Sequence, residues 1–444
     1  MKKFYFVLAV VAVAVTACQK DAVYQNTHQE IPVETYSTSP YFVSKEVALN
    51  NLNVFMDAFE GCETRSGRRG VKNIREVSID NGYTRSSLGE EAVGLYIVEF
   101  ENGKGSAILG ADKRLEPIYA VLDETVMTPS DFENAIKGVN MDDVSTFTAS
   151  VIVNSVRDSK FEKDSLILIP PGGTTPGDDL KTEVYNDVEI KTVTSYIPPL
   201  LNTTWSQKGI YNDKFAVNDN CEDGRQPAGC ATIALGQLLN YNRHPSPIDL
   251  NKNRFYWRDI NQFTHNNTIV DSTLIEKMSF FIYHLSKELN VRYVGNITNA
   301  YFFNVTQVMR NLGYNNLSRG DITESRVYNM LYNLKPVFVA GETAGGAGHM
   351  WIIDGWKVVK TNYVRITYVN NVEISRELFD SYTTNFVHCN MGWGGRCNGY
   401  YTMNIYDTTQ SRKTDELDPN CGDESDSCNE YNYDREFKCL TYDL

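Results

Sequence analysis

GCATIALGQLLNYNRHP, residues 229–245, decides how this chain is read. Ala231, Ala234, Leu235 and Leu238 recur at i, i+3, i+4 and i+7, the spacing of one buried helical face, and His244-Pro245 is a stop signal. Cys230 then stands in the first turn of that helix. Unpaired main-chain amides and the positive end of the helix dipole favour a thiolate there, so a side chain that is inert in a core becomes nucleophilic. On this stretch alone the residue reads equally well as half of a disulfide, the usual state of a lone cysteine in an exported protein.

Working outward, a chain of 444 residues is long enough for two domains and a tail. A net charge of -14 and a pI near 5.0 leave no basic patch to release counterions from phosphates, which argues against nucleic acid or an anionic membrane surface as partner. The hydrophobic fraction of 42%, with 27 Tyr and 20 Phe, suffices for packed, β-rich cores. At the N-terminus Lys2-Lys3 precede an apolar run over 4–15 and small residues before Cys18. Crossing a bilayer would need roughly 18–20 apolar residues, so 1–17 read as a secretory signal. Cys18 resembles a bacterial lipoprotein acylation site, although Val15-Thr16-Ala17 departs from the usual Leu-led pattern, and Gln19-Lys20-Asp21 resembles a surface-export signal of Bacteroidota lipoproteins. The expectation is a tether over 18–40 and a protein lipid-anchored at the outer membrane or cell surface, or secreted after processing. A cleaved signal with an incidental cysteine is the alternative.

With Cys18, Cys62 and Cys230 set aside, Cys221, Cys389, Cys397, Cys421, Cys428 and Cys439 remain, an even set compatible with a disulfide framework. Zinc is disfavoured, because no C-x-x-C pair occurs and no histidine stands at ligand spacing. Residues 41–165 read as a first domain. Ser44 caps a helix with Ala48, Leu52, Phe55 and Phe59 on one face, and strands over 95–100 and 106–109 flank an Asn102-Gly103 hairpin turn. A third strand follows at 117–122, then helices near Ser130 and over 141–157. No catalytic constellation is visible here. The Pro/Gly run 170–179 marks an exposed linker and processing region, 166–196, with 170–191 the natural window for cleavage.

In the second domain, 197–444, helical patterns at 272–289 and 305–312 give way to short strands at 337–340, 350–356, 363–369, 386–391 and 399–405. A thiolate needs a general base and a third group to orient it. His349 opens a strand after a glycine loop, in GETAGGAGHMWIIDGW, whereas His28, His244, His265 and His284 sit in tether, helix-end or helical settings. His388 is the nearer rival. Asn390 is the candidate orienting group, Trp393 its shield, and Gln207 in TTWSQKGIYN a candidate oxyanion donor beside the Cys230 amide. The GWGG segment also reads simply as a tight turn with a core tryptophan, and Gln207 as a surface residue.

These segments, GCATIALGQLLNYNRHP, GGAGHMWIIDG, NMGWGGRCNGYY and WSQKGIYN, resemble the streptopain family of C10-type papain-like cysteine peptidases. VSKEVALNNLNVF and VEFENGKGSAILGADKRLEPIYAV resemble its propeptide. The resemblance implies an α+β architecture: a papain-like two-lobe peptidase domain, helical lobe plus antiparallel sheet lobe, preceded by a small α+β propeptide domain. It implies Cys230 and His349 as the catalytic pair of a cysteine endopeptidase made as an inactive precursor, with no cofactor or metal. Its partners would be protein substrates, with an apolar residue preferred just before the one at the cut, and its own propeptide as intramolecular inhibitor. A monomer is expected, touching a membrane only through the lipid. Met391 departs from the family's first tryptophan and Ala340 from a glutamine, and the acidic tail 415–439 has no counterpart; carboxylates there suit calcium less well than a disulfide-stapled, solvated tail. The departures motivate the alternative of a catalytically impaired surface binding or inhibitor-type lipoprotein. A transglutaminase-like acyltransferase is weaker, since Asp354 lies too near His349 along one strand to serve it.

Overall fold

The computed structural model describes residues 42–60, 69–79, 93–163, 184–264, 269, 271–342, 348–369, 372–406 and 437–444. The expected signal, Cys18 and the tether lie outside these residues, as do Cys62, the Pro/Gly run, His265, the centre of the glycine loop before His349, Cys421 and Cys428. Helix α1 (Lys45–Glu60) begins at Ser44, whose hydroxyl accepts the Val47 amide, and buries Ala48, Leu52, Phe55 and Phe59 as their spacing requires. An antiparallel meander follows: β1 (Val71–Ile79), β2 (Val93–Phe100), β3 (Ser106–Gly110) and β4 (Ile118–Leu122). Between β2 and β3 the chain turns at Asn102 (φ 57°) and Gly103 (φ 69°), a conformation these two residues adopt at little steric cost. Helices α2 (Pro129–Lys137) and α3 (Val144–Lys163) close this unit, α2 with a Thr128–Asp131 capping box.

Strand β5 (Val184–Ile197) leads to α4 (Cys230–Asn242), buried from Ala231 to Asn240 and capped by Arg243 at φ 51°, immediately before His244-Pro245. Then come the hairpin β6 (Ile248–Leu250) and β7 (Asn253–Phe255), α5 (Trp257–Ile260), α6 (Ser272–Glu288), the hairpin β8 (Arg292–Val294) and β9 (Ile297–Asn299), and α7 (Phe302–Asn311). The remainder is mainly strand: β10 (Asn315–Asp321), α8 (Glu324–Tyr332), β11 (Val337–Glu342), β12 (Gly348–Val369), β13 (Val372–Asn390), β14 (Gly399–Thr402) and β15 (Lys438–Asp443). The α+β class and the helical and antiparallel parts are as expected. Helix α4 lies between them, against β11 and β12 on one side and α6 and α7 on the other.

One antiparallel sheet runs β1-β2-β3-β4-β14-β13-β12-β11-β15-β10, with β5 on the second half of β12. The first unit is therefore not a separate body on a linker. Strand β4 pairs with β14 through Leu122, Val121 and Ala120 opposite Gly399, Tyr400 and Tyr401. Gly399 permits this approach, since a Cβ there would lie 2.5 Å from the Val121 carbonyl oxygen. A single apolar cluster unites Leu52, Phe55 and Phe59 of α1 with Val359, Phe386 and Tyr400. Lys357, 2% exposed, sits within it. Its Nζ donates to the Phe59 carbonyl at 3.0 Å and stands 3.8, 4.6 and 4.8 Å from the ring centroids of Phe59, Tyr196 and Tyr400. A buried ammonium costs several kcal/mol unless compensated, and three ring faces with a carbonyl compensate this one.

Three expectations are corrected. Residues 184–196 of the expected linker belong to β5, because Val184, Val188, Ile190, Val193 and Ile197 form part of a run of β formers that finds a partner in β12. The strands expected at 350–356 and 363–369 are one strand, continued through 357–362 by pairing on both sides. Among the described residues the disulfide framework is not found: Cys221, Cys389, Cys397 and Cys439 are free thiols, the last three buried, and Cys439 lies in β15 between β10 and β11 rather than in a solvated tail.

Cutting the chain between residues 164 and 183 should leave the two pieces associated through this shared core. Size-exclusion chromatography of nicked protein should give one peak containing both, and separate peaks would refute the shared core. Phe59→Ala, which opens the cage and removes the stack on Phe55 at 4.9 Å, should lower stability by about 3–5 kcal/mol, read as a lower urea midpoint.

Candidate active site

Gly229 precedes α4 at φ 89°, and a Cβ there would sit 2.9 Å from the Thr298 methyl, so glycine is what lets the helix begin at Cys230 against β9. Cys230 lines a cleft of about 740 Å³. His349, Gln207, Trp393 and Ala340 line the same cleft, and the first unit contributes Met141, Asp142, Val144 and Phe147. Sequence reasoning thus chose residues from four separate segments that the fold brings to one place.

His349 is the second residue of β12, opposite Gly341 of β11. Its Nε2 and the Met391 carbonyl oxygen are 2.9 Å apart. A carbonyl only accepts, so the neutral ring carries its proton on Nε2 and leaves the Nδ1 lone pair as the base. The ring stacks on Trp351, centroids 5.9 Å apart, and meets Phe147 of α3 at 5.2 Å. Burial here pushes the imidazole pKa down to about 4, against the opposing pull of the Met391 carbonyl. Burial likewise pushes the Cys230 thiol up, although the amides of Met350, Ala231 and Cys230 itself favour the thiolate. Burial thus opposes ionisation of both the thiol and the imidazole in the uncut chain.

Asn390 was expected against the imidazole; the structure gives that contact to the main chain of the next residue. The Asn390 side chain is 3% exposed, accepts from Gln237 Nε2 at 3.1 Å and from the Gly392 amide at 3.2 Å, and donates to the Thr203 carbonyl at 2.7 Å. It braces the turn that presents the Met391 carbonyl. Trp393 is half-buried at the cleft, its ring 5.6 Å from Lys208 Nζ. Gln207 is buried rather than a surface residue, and its carbonyl accepts the Ala228 amide at 2.8 Å. The Met391 side chain is not among those lining the cleft; it bounds a small void with Phe147, Thr148 and Tyr401.

His388 is elsewhere and in another state. Its Nδ1 lies 2.6 Å from Asp354 Oδ1 and its Nε2 3.3 Å from Asp123 Oδ2. Burial alone would lower its pKa, but the charge of Asp354 and the Asp123 carboxylate override that and raise it to about 10. A ring held protonated between two carboxylates is no general base at neutral pH. Asp354, excluded above as a partner for His349, belongs to this pair. Two cleft features were missed: Cys221, a second thiol, and Phe147, whose contact with His349 spans 202 positions of sequence and left no local signal.

Residues 205–401 match the model of the family described as Peptidase C10. A fragment of Prevotella intermedia prointerpain A bearing a Cys-to-Ala mutation is similar at TM-score 0.48 and 16% identity, covering 83% of this chain and 98% of that one. Active wild-type interpain A cysteine protease of the same organism is similar at TM-score 0.37 and 20% identity, covering 56% and 95%. No curated protein matches the chain.

A neutral thiol should react slowly. In the uncut chain, iodoacetamide should label Cys230 at pH 7 at least about tenfold more slowly than free cysteine, by peptide mass mapping; a faster rate would mean the thiolate already exists. The imidazole gives a sign as well. Its folded pKa of about 4 lies below the ordinary 6.5, so its contribution to stability is complete above pH 6.5 and is lost as pH falls toward 4. Urea midpoints across that window should fall less steeply in His349→Asn than in the wild type.

Proposed function

We propose that this chain is the inactive precursor of a cysteine endopeptidase, in which residues 197–444 hydrolyse polypeptides and residues 41–165 hold the cleft shut. The observation that carries the reading is the cleft itself: Cys230 at a helix start and His349 on a facing strand line one cavity, with Phe147 of the first unit against the imidazole.

In the proposed reaction the Cys230 thiol gives its proton to His349 Nδ1 and the sulfur attacks the scissile carbonyl carbon. The negative oxygen is met by the Cys230 amide and the Gln207 side-chain amide. The imidazolium then protonates the leaving amine as the C–N bond breaks, and a thioester remains on Cys230. Water, deprotonated by His349, attacks that thioester and releases the acid product with the thiol restored. A buried, low-dielectric setting opposes the thiolate–imidazolium pair, so α3 inhibits electrostatically as well as sterically; its departure admits water and lets the pair ionise.

Ile297, Tyr301 and Phe303 line the cleft and are 41%, 57% and 63% exposed, which supports an apolar residue in the substrate just before the one at the cut. The mature enzyme is proposed to be a monomer, reached by cleavage before β5, and the precursor to be anchored through an acylated Cys18. Of the two motives for the impaired-lipoprotein alternative, Met391 packs toward α3 and not into the cleft, whereas Ala340 does line the cleft.

Cys230→Ala should abolish casein hydrolysis, leave the urea midpoint of the precursor within about 1 kcal/mol of wild type, and persist at full length unless wild-type enzyme is added. Hydrolysis surviving in that variant would remove Cys230 from the mechanism.

A further inference from the structure

Three chain segments must hold register for this chemistry: the loop before α4 that carries Gln207, the start of α4 that carries Cys230, and the turn after β13 whose Met391 carbonyl holds His349. One buried side chain of α4 bonds to both of the other segments. Gln237 lies seven residues after Cys230, hence on the same face of α4, and is 0% exposed. Its Oε1 accepts from Thr203 Oγ1 at 2.8 Å and from the Trp205 amide at 3.2 Å, two residues before Gln207. Its Nε2 donates to Asn390 Oδ1 at 3.1 Å, one residue before Met391. Asn390 closes the ring by donating to the Thr203 carbonyl at 2.7 Å.

We propose that Gln237 is a positioning residue of the peptidase reaction, an inference that rests on the function proposed above. It sets the distance between thiol, base and oxyanion donors without touching substrate. Both polarities of its amide are used, the oxygen toward the Gln207 loop and the nitrogen toward the His349 turn. No apolar isostere reproduces this, and a carboxylate reproduces only the oxygen. Inside a low-dielectric core each of these bonds is strong and its loss leaves a partner unsatisfied, while a misplacement of about 1 Å at reacting groups costs on the order of 100-fold in rate.

The test uses the full chain treated with trypsin until the first unit has been digested out of the cleft, the trypsin then being inhibited, with peptide hydrolysis and the pH profile of Cys230 alkylation as separate readouts. Gln237→Leu should lower kcat about 100-fold with KM within about twofold, and shift the rise of Cys230 alkylation to higher pH. Gln237→Glu keeps the acceptor and, once protonated, regains the donor, so its kcat relative to wild type should climb as pH falls. That recovery distinguishes positioning from mere packing, and it decides the matter if the leucine variant fails to fold. A Gln237→Glu to wild-type ratio that is flat with pH, or a rise in KM at unchanged kcat, overturns the proposal. If wild type hydrolyses nothing that Cys230→Ala also spares, the proposed function fails, while the alkylation profiles still decide whether Gln237 sets the thiol against its base.

Discussion

The pairing of β4 with β14 is the constraint on which the rest depends. It adds the first unit's strands to the sheet that carries β11–β14, and so fixes where α3 must lie. The turn between β13 and β14 is then held from two directions. At one end Met391 holds the imidazole; at the other, the Asn398 carbonyl accepts the Asp123 amide at 3.0 Å, the Cys397 amide donates to Thr125 Oγ1 at 2.7 Å, and Arg396 meets Asp143 at 2.9 Å. The turn that orients the candidate base is thus also the turn that the first unit grips. Occupying the cleft and restraining the base are one structural act.

Two buried histidines show how neighbours, not burial, decide charge. His349 and His388 are 7% and 6% exposed, yet one is pushed to about 4 and the other to about 10. Rings and a carbonyl surround the first, so nothing repays the desolvation of a cation. Two carboxylates surround the second, and Asp123 also meets Arg69 at 3.6 Å, which spreads the charge across both parts of the chain. A base must be able to exist neutral at working pH and become charged during the reaction. Of these two environments only that of His349, once wet, allows both.

What was legible in the sequence was local. The apolar spacing of α4 and its proline stop, the Asn102-Gly103 turn and the face of α1 each follow from a few neighbouring residues, and each is found. That Cys230 opens a helix and His349 a strand was legible because a helix start and a glycine-flanked strand start are themselves local signals. What failed was non-local. Residues 184–197 have a strand's composition, but only the partner β12 could show that they are paired; β15 enters the sheet between β10 and β11, strands far from it in sequence. For Asn390, whether its amide or the next carbonyl reaches the ring depends on turn geometry that composition does not encode. Counting cysteines failed for a similar reason: an even number is arithmetic, whereas Cys389 beside Tyr406 at 3.4 Å and Cys397 beside Ser145 at 3.6 Å pack as ordinary core thiols.

The shared sheet also bears on how the proposed precursor could be released. A tether that holds two parts at an effective concentration near 1 mM, in a solution where the protein is near 1 μM, favours association by about 4 kcal/mol, and a cut in the linker removes that much and no more. Emptying a single buried phenylalanine site costs about 3–5 kcal/mol, and this interface buries Phe55, Phe59, Phe386, Tyr400 and the caged Lys357 together. The cut is therefore the smaller of the two contributions. Strand β5 stays with β12 after it, since their pairing runs from Trp356 to Tyr368 and lies wholly on the peptidase side. What leaves must be α1, β1–β4, α2 and α3, and breaking the β4–β14 pairing exposes a strand edge and an apolar face on both pieces at once. Opening the cleft is thus a problem of dismantling a domain rather than of severing a linker, and a peptidase that digests the loosened first unit would solve it with its own activity.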